Sequence, residues 1–321
     1  MVELKFYIDK GPAKKDYDLI ILGGGPAGLT AGIYATRGRL DTLLIGKLVP
    51  GGQAASTEWV ENYPGFPDGI SGAELIAKME QQAKKFGLEV FTDEVTTVEF
   101  APNKKTIQTT KDEFTSKALI IAIGTEPKKL NTPGEDKFKG RGVSYCATCD
   151  GPFFKEKDIA VIGCGNSGIQ EGLYLLKFVK SITFIEFLPR MTAVKILQER
   201  VQSHPHTKFF LNHMATSING ENKVESITVK NRETDKKETI PVQGIFIYVG
   251  LTSNTQFLQG KLELDQYGYI VTNENTETSV PGVFAAGDVR QKILQQITTA
   301  VSDGSISAFM AEKYIETLKE K

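Results

Sequence analysis

The chain has 321 residues, of which 40% are hydrophobic and 24% charged, a composition that is typical of a soluble globular protein and excludes disorder. The length favours two domains. Lys and Arg number 38 against 39 Asp and Glu, so the formal net charge is -1. This balance gives no electrostatic reason to expect nucleic acid or a membrane surface as partner.

The sequence also bears on the compartment. No apolar run approaches the roughly 18 residues of a membrane span. Residues 1–16 lack a basic segment followed by an apolar one, so we do not expect a signal peptide. Three cysteines are too few for a disulfide-stapled secreted scaffold. We therefore expect a cytoplasmic protein. Residues 1–16 form a polar N-terminal extension to which the sequence assigns no role.

The first strong pattern is a strand, a glycine turn and a helix. Residues 17–22 (YDLIIL) predict a strand, residues 23–28 (GGGPAG) follow, and residues 29–37 (LTAGIYATR) predict a helix. In a G-x-G-x-x-G turn, the first glycine allows the tight bend and the second lets a pyrophosphate approach the backbone. The third lets the helix pack on the strand. The pattern indicates a dinucleotide site.

The same arrangement recurs about 140 residues later. Residues 159–162 (IAVI) predict a strand, residues 163–168 (GCGNSG) a turn, and residues 169–178 (IQEGLYLLKF) a helix. One such turn is weak evidence, because glycines are common in turns. Two turns in the same strand–turn–helix context indicate two dinucleotide sites.

The two copies differ at the end of their second strand, where NAD-binding Rossmann domains carry an acidic residue for the ribose hydroxyls. In the second copy, residues 181–185 (SITFI) run directly into Glu186. We interpret Glu186 as the ribose ligand; the alternative is an ordinary surface glutamate. In the first copy the strand ends in Gly46, so that turn alone does not identify its dinucleotide.

The end of the chain is predicted to complete the first site. Residues 280–288 (VPGVFAAGD) predict a turn, a short strand and a Gly-Asp end, and residues 296–314 predict a helix. Asp288 can accept a hydrogen bond from a sugar hydroxyl. The helix N-terminus can face an electron-rich ring.

A C-x-x-C pair, Cys146 and Cys149, lies just before the second turn. Such a pair can close a small disulfide, or supply a thiolate nucleophile near neutral pH. A tetrahedral zinc site would need two more ligands. The remaining candidates are Cys164, interpreted as a structural residue of the turn, and three histidines in a polar stretch, His204, His206 and His213. Redox chemistry is favoured, with a zinc-binding interaction protein and a redox sensor without turnover as alternatives.

These motifs together resemble a known family. GGGPAG near the start and FAAGDV near the end are similar to the FAD domain of flavoprotein disulfide reductases, which is split in sequence by an inserted nicotinamide domain. CATCDG in the inserted domain resembles the low-molecular-weight thioredoxin reductases. The resemblance implies an α/β fold of two Rossmann-like three-layer domains. The FAD domain is expected at residues 1–123 and 251–321, and the nicotinamide domain with the redox C-x-x-C at 124–250.

The resemblance also implies site residues. Cys149 would face the flavin, Cys146 would attack the partner's disulfide, and Asp150 would donate the proton, although a turn aspartate is an equal alternative for Asp150 from the residues alone. The expected FAD ligands are Gly23, Gly25, Pro26, Ala27, Gly46, Gln53, Asn62, Val95, Gly124, Gly287, Asp288, Gln295, Gln296 and Ile297. The expected ligands of the nicotinamide dinucleotide are Gly163, Gly165, Asn166, Ser167 and Glu186.

The chain departs from the family pattern in its inserted domain. NADPH enzymes of the family carry a His-Arg-Arg run and a further Arg after the second strand, whereas this chain has Glu186 and a single Arg190. The family's Arg-Gln before the last helix is here Gln295-Gln296. We therefore expect a homodimeric FAD enzyme that uses NADH in preference to NADPH and reduces a thioredoxin-like protein. A ferredoxin or a deazaflavin as donor, or a sensor without turnover, is the alternative.

Overall fold

The computed structural model describes residue 12 and residues 14–47 and 50–320. These residues form two compact units. The first unit contains the described residues up to Ala55, Trp59–Thr125 and the described residues from Ser253 onward; the second contains Ser56–Glu58 and Glu126–Thr252. Most of residues 1–16, in which no signal peptide is expected, lie outside the described residues.

The first unit is built on a sheet with the strand order β3-β2-β1-β6-β5-β4, and β17 pairs with β6. Strands β1, β2, β3, β6 and β17 are parallel, whereas β4, β5 and β6 form an antiparallel meander. The strands are β1 (Asp16–Leu22), β2 (Thr42–Gly46), β3 (Glu89–Thr92), β4 (Val95–Ala101), β5 (Lys104–Thr109), β6 (Glu113–Ile121) and β17 (Val283–Ala285). The helices are α1 (Pro26–Arg37), α2 (Gly52–Ala55), α3 (Gly72–Lys85) and α8 (Ile297–Lys319).

Alternate side chains of β1 pack into two different cores, because successive residues of a strand point to opposite faces. Leu19 and Ile21 belong to the core that the helices share. Ile20 and Leu22 belong to the core on the meander side, with Val98 of β4. A strand that is buried on both faces needs a continuous apolar run, which explains the composition of residues 17–22.

The second unit contains a parallel sheet with the order β11-β10-β9-β15-β8 and a separate antiparallel sheet, β12-β13-β14. Its strands are β8 (Val143–Ser144), β9 (Asp158–Ile162), β10 (Ser181–Glu186), β11 (Thr207–Leu211), β12 (His213–Asn219), β13 (Ser226–Asn231), β14 (Lys237–Pro241) and β15 (Gly244–Ile247). Its helices are α4 (Glu135–Phe138), α5 (Ala147–Asp150), α6 (Asn166–Leu175) and α7 (Lys195–Gln202).

The parallel sheet of the second unit also has two buried faces. Val161 of β9 packs with residues of α6 and α7, while Ile162 packs with Ile227 of β13. Each unit therefore has a helical layer, a mainly parallel sheet and an antiparallel layer. The predicted α/β fold with two Rossmann-like three-layer domains is confirmed.

Two short strands, β7 (Thr125–Pro127) and β16 (Leu251–Ser253), pair where the chain passes between the units. The passages fall at Thr125–Glu126 and Thr252–Ser253, next to the expected boundaries at 123/124 and 250/251. No helix in the described part of the chain is both long enough and apolar enough to cross a membrane.

Helix ends differ from the sequence prediction by a few residues. The helix after the first turn begins at Pro26, since proline suits the first helical position, where its missing N–H has no partner to lose. The helix after the second turn runs over Asn166–Leu175 rather than 169–178, and the last helix runs over Ile297–Lys319 rather than 296–314.

Candidate active site

The first glycine turn places an open backbone at the N-terminus of α1. A Cβ on Gly23 would lie 2.3 Å from the Ala122 carbonyl oxygen, and one on Gly28 would lie 1.9 Å from the Gly23 carbonyl oxygen. These two positions therefore require glycine for packing. A Cβ on Gly25 would meet nothing within 4 Å. The unencumbered helix terminus is suited to an anion.

Two distant segments converge on this turn. The N–H of Gly51 donates to the Gly24 carbonyl oxygen at 2.8 Å. A Cβ on Gly287, from the end of the chain, would lie 2.9 Å from the Cβ of Ala27. The structure thus brings the predicted Gly-Asp end beside the first turn, although more than 250 residues separate them in sequence.

Asp288 has the properties of a ligand-binding carboxylate. Its Oδ1 atom is buried and has no hydrogen-bond partner among the described residues. Burial raises the pKa of Asp288 to about 6, with Lys292 opposing and Asp303 adding to the effect. A buried acceptor without a donor costs free energy unless a ligand supplies the donor. A sugar hydroxyl is such a donor.

The turn that carries Asp288 is held by a carboxylate that sequence reasoning missed. Asp303 of α8 accepts hydrogen bonds from the Gly287 N–H at 3.0 Å, from Arg290 at 2.9 Å and from Lys292 at 2.7 Å. All three charged side chains are largely buried. The spacing of these residues gave no local signal, because the contact depends on how α8 packs.

The other expected FAD residues lie in the same unit. Asn62 Nδ2 donates to Gln296 Oε1 at 2.8 Å, Gln295 Nε2 donates to the Asp288 carbonyl oxygen at 3.2 Å, and Gln53 Nε2 donates to the Thr125 carbonyl oxygen at 3.0 Å. Three more are at the ends of elements: Gly46 ends β2, Val95 begins β4 and Ile297 begins α8. Gly124, with a φ of 63°, immediately precedes the passage at Thr125–Glu126.

These features fit FAD. The open turn offers backbone N–H groups to a pyrophosphate, and the unpartnered Asp288 oxygen offers an acceptor to a sugar hydroxyl. Strand β2 ends in Gly46 and therefore offers no acid to an adenosine ribose. The carboxylate that the structure places beside this turn is instead Asp288.

The second turn has the same packing as the first. A Cβ on Gly163 would lie 2.1 Å from the Tyr248 carbonyl oxygen, and one on Gly168 would lie 2.0 Å from the Gly163 carbonyl oxygen. Gly165 caps α6, Asn166 Oδ1 accepts from the Val194 N–H at 2.8 Å, and Ser167 is exposed.

Glu186, at the end of β10, contacts this second turn directly. Its Oε2 accepts from the Cys164 N–H at 2.6 Å and its Oε1 accepts from the Leu188 N–H at 2.9 Å. The residue is only 8% exposed. Sequence reasoning placed Glu186 at the ribose position but did not foresee these two backbone partners. Each carboxylate oxygen has a second lone pair that remains available to a hydroxyl.

The loop after β10 is contacted by a cation that sequence reasoning did not identify. Arg190, the single arginine that the sequence places in this loop, is exposed. Arg232, from a neighbouring turn, stacks on the Phe187 ring with 3.6 Å from its guanidinium carbon to the ring centroid. It also donates to the Phe187 carbonyl oxygen at 3.0 Å. Its guanidinium therefore supports the loop next to Glu186.

The predicted redox pair is a disulfide. Cys146 and Cys149 are bonded, with Cα atoms 5.4 Å apart, and Cys146 caps the short helix α5. The Cys149 N–H lies 3.2 Å from the Cys146 sulfur. Asp150 ends the same helix, and its Oδ2 accepts a hydrogen bond from the Ser144 hydroxyl at 2.6 Å.

The third cysteine is different. Cys164 is fully buried in the second turn, and burial, with the nearby Glu186 carboxylate, raises the pKa of its thiol to about 12. A neutral buried thiol is a poor nucleophile and a poor metal ligand. Among the residues that the structure describes, no group of three or more His, Cys, Asp or Glu is arranged to hold a metal ion.

Comparisons with known proteins extend over nearly the whole chain. A family model described as pyridine nucleotide-disulphide oxidoreductase matches residues 17–304. The thioredoxin reductase of Bacillus subtilis (strain 168) is 43% identical over 308 residues, which are 96% of this chain and 97% of that protein.

Solved structures agree. The Lactococcus lactis thioredoxin reductase has a TM-score of 0.92 at 41% identity, covering 94% of this chain and 99% of its own. The T. acidophilum thioredoxin reductase has a TM-score of 0.90 at 36% identity, covering 95% of this chain and 100% of its own. The predicted enzyme class is confirmed, which rules against a zinc-binding interaction protein. The chain therefore belongs to the pyridine nucleotide-disulphide oxidoreductase family, as an FAD-dependent oxidoreductase of the low-molecular-weight thioredoxin reductase type.

Proposed function

We propose that the protein passes electrons from a reduced donor, through FAD and the Cys146–Cys149 disulfide, to a thioredoxin-like disulfide protein. The observation that carries this proposal is the disulfide itself, placed in the unit that also holds the second glycine turn. The similar proteins named thioredoxin reductase support thioredoxin as the partner class. We further propose a cytoplasmic homodimer with the domain boundaries expected from the sequence.

The first unit would hold FAD through the Gly23–Ala27 backbone, Asp288 and the Asn62–Gln296 pair. FAD supplies a two-electron carrier that can exchange electrons with both a nicotinamide and a disulfide. The residues of this chain would bind and orient it. The Asp303 network keeps the Asp288 turn in place for that purpose.

The dithiol would react with the partner by thiol–disulfide exchange. The Cys146 thiolate attacks one sulfur of the partner's disulfide, a Cys146–partner disulfide forms, and the partner's own S–S bond breaks. The departing partner thiolate takes a proton from the Asp150 carboxyl group. The Cys149 thiolate then attacks the Cys146 sulfur and breaks the Cys146–partner bond, which restores the Cys146–Cys149 disulfide. The partner sulfur that was bonded to Cys146 leaves as a thiolate and takes a second proton from solvent, so the partner is released as a dithiol.

For the donor we propose NADH in preference to NADPH. Glu186 supports this choice, because its carboxylate sits at the second turn and would repel a 2′-phosphate. The chain has no His-Arg-Arg run at this place. A ferredoxin or a deazaflavin remains the second candidate, supported by the same departure from the family's NADPH pattern.

Anaerobic reduction of the bound flavin tests the donor. The purified protein is mixed with NADH, NADPH or reduced ferredoxin, and flavin absorbance is followed in a stopped-flow instrument. We expect NADH to bleach the flavin fastest. If reduced ferredoxin bleaches the flavin and neither nucleotide does, the donor is a ferredoxin and the proposal of NADH is wrong.

Cysteine variants test the electron path. In Cys149→Ser, we expect the donor still to bleach the flavin while thioredoxin reduction disappears, because the flavin is reduced before the cysteines take part. Cys164→Ser is the matched control and should retain both reactions, since Cys164 is buried within the turn. Thioredoxin reduction that persists in Cys149→Ser contradicts the path, and a wild-type flavin that is reduced without any turnover supports the redox sensor.

A further inference from the structure

A serine two residues before the redox pair makes an unusual set of hydrogen bonds. Ser144 is buried at the end of β8, two residues before Cys146. Its hydroxyl donates to Asp150 Oδ2 at 2.6 Å and lies 3.2 Å from the Cys146 carbonyl oxygen. The Cys146 N–H in turn donates to the Ser144 oxygen at 3.0 Å. One hydroxyl therefore joins the backbone of the first cysteine to the acid that follows the second.

The Ser144 hydroxyl has one proton and two acceptors within reach. When Asp150 is ionised, the hydroxyl donates to the carboxylate, and the Cys146 carbonyl oxygen keeps the Asp150 N–H as donor at 3.2 Å. When Asp150 is protonated, the carboxyl O–H can donate to the Ser144 oxygen, and the serine proton can turn to the Cys146 carbonyl oxygen. Both states are satisfied by rotation about one C–O bond, without movement of the helix.

We propose that Ser144 is a positioning residue for disulfide exchange: its rotating hydroxyl holds Asp150 beside Cys146 in both of the protonation states through which Asp150 passes. The inference rests on the proposed role of Asp150 as proton donor. When the Asp150 carboxyl gives its proton to the departing partner thiolate, the new carboxylate gains the Ser144 hydrogen bond. When Asp150 takes a proton up again, the bond reverses.

Other ionisable groups lie near this cluster, and the experiment must distinguish their titration from the effect of Ser144. Tyr248 follows β15; burial and the Glu171 and Asp150 carboxylates all raise the pKa of its phenol. Glu171 of α6 is partly buried. Burial and the Glu58 carboxylate raise the pKa of Glu171 to about 7. Glu171 can therefore titrate within the same pH range as a thiol, and the experiment is carried out in both the wild-type and the Glu171→Gln backgrounds.

The test measures how the reactivity of the reduced enzyme depends on pH. The FAD-loaded protein is reduced with dithiothreitol and desalted. Alkylation by iodoacetamide is then followed from pH 5.5 to 9.5, with mass spectrometry to assign each cysteine. We expect the wild-type alkylation profile of Cys146 to differ from that of Asp150→Asn and to match that of Glu171→Gln. In Ser144→Ala the profile should move towards that of Asp150→Asn, because the lost hydroxyl no longer holds the Asp150 carboxyl group beside Cys146. Ser144→Thr, which keeps the hydroxyl, should restore the wild-type profile.

Single-turnover exchange with a bacterial thioredoxin disulfide gives a second readout. We expect Ser144→Ala to slow it about tenfold at pH 7, in line with the loss of one hydrogen bond to a charged group. Ser181→Ala is the matched control. It removes a Ser–Asp hydrogen bond of the same length, 2.6 Å to Asp158, in the same unit at the beginning of β10. This variant should change neither readout.

The outcomes separate the inference from the proposed function. An alkylation profile in Ser144→Ala that superimposes on the wild type, or a shift that Ser181→Ala reproduces, overturns the inference. If the variants show the expected alkylation profiles but the wild type does not exchange with thioredoxin, the positioning role of Ser144 is supported and thioredoxin is overturned as the partner.

Discussion

The two glycine turns of the molecule have nearly the same backbone and different carboxylates. Gly23 and Gly163 have φ values of 107° and 103°, and in each turn the third glycine packs against the carbonyl of the first. Asp288 beside the first turn has an oxygen without a partner, whereas both oxygens of Glu186 beside the second turn already bind backbone N–H groups. The turns share what a pyrophosphate requires. They differ in how much of the carboxylate is left for a sugar.

Substitution of the third glycine should have the largest effect. An alanine Cβ at Gly28 or Gly168 would fall about 2 Å from a backbone carbonyl oxygen that cannot move independently. We expect a loss of about 3 kcal/mol or more in each case. Gly28→Ala should abolish flavin binding, while Gly168→Ala should keep the flavin spectrum and lose reduction by the nicotinamide. Absorbance spectra, thermal unfolding and stopped-flow reduction measure these three properties.

Gly25→Ala provides the control for this pair. Its φ of -77° suits any residue, and the added Cβ meets no protein atom within 4 Å, so the fold should tolerate it. FAD affinity should nevertheless fall, because the methyl group would occupy space needed by the pyrophosphate. If Gly25→Ala binds FAD with unchanged affinity, the pyrophosphate of FAD does not bind at this turn.

Removal of the carboxylate beside the first turn should have the next largest effect. Asp288→Ala should weaken FAD binding by roughly 10- to 100-fold, because one hydrogen bond between a charged acceptor and a ligand hydroxyl is lost. Titration of the apoprotein with FAD, followed by flavin fluorescence, measures the change. Asp288→Asn, which keeps a neutral acceptor, should lose less. Equal affinity in Asp288→Ala and the wild type would mean that Asp288 does not contact FAD.

These contrasts also show how far local sequence patterns reach. The turns, the C-x-x-C pair and the two-unit fold could be predicted, since each depends on residues that are close in sequence or on an apolar periodicity. The Asp303 network could not, because Asp303 meets Gly287 only through the packing of α8. The backbone partners of Glu186 were missed for a related reason: the N–H of Cys164 points at β10 only once the turn is folded.

The choice between NADH and NADPH tests the role of the carboxylate beside the second turn. We expect the wild type to favour NADH by roughly ten- to a hundredfold, since a 2′-phosphate would lie against the Glu186 carboxylate in a partly solvated site. Glu186→Arg should move the preference towards NADPH. The ratio of flavin reduction rates by the two nucleotides is the measurement, because it cancels any general loss of stability.

Two variants control this experiment. Glu186→Gln removes the charge and keeps one acceptor oxygen, so it should reduce the preference without reversing it. Arg190→Ala should leave the ratio unchanged if the exposed Arg190 makes no contact with the nucleotide. A wild type that prefers NADPH would show that Glu186 does not select the ribose.

The smallest effect concerns the stability of the apoprotein as pH changes. The pKa of Asp288 is raised from 3.8 to about 6 by burial, so the native state keeps a proton that the unfolded state releases. Between about pH 4 and pH 6 the native state therefore binds more protons, and stability must fall as pH rises through this window. A shift of two units corresponds to about 3 kcal/mol, and partial solvent exposure reduces this to about 1 to 2 kcal/mol. Urea denaturation of the apoprotein from pH 4 to 7 should show the decline, and Asp288→Asn should flatten it. The decline should also shrink when FAD is bound, because the ligand hydroxyl then stabilises the ionised carboxylate. If the slope is the same in the apoprotein, the FAD-bound protein and Asp288→Asn, other groups cause the decline. Asp288 would then have hydrogen-bond partners in the apoprotein, as Glu186 does.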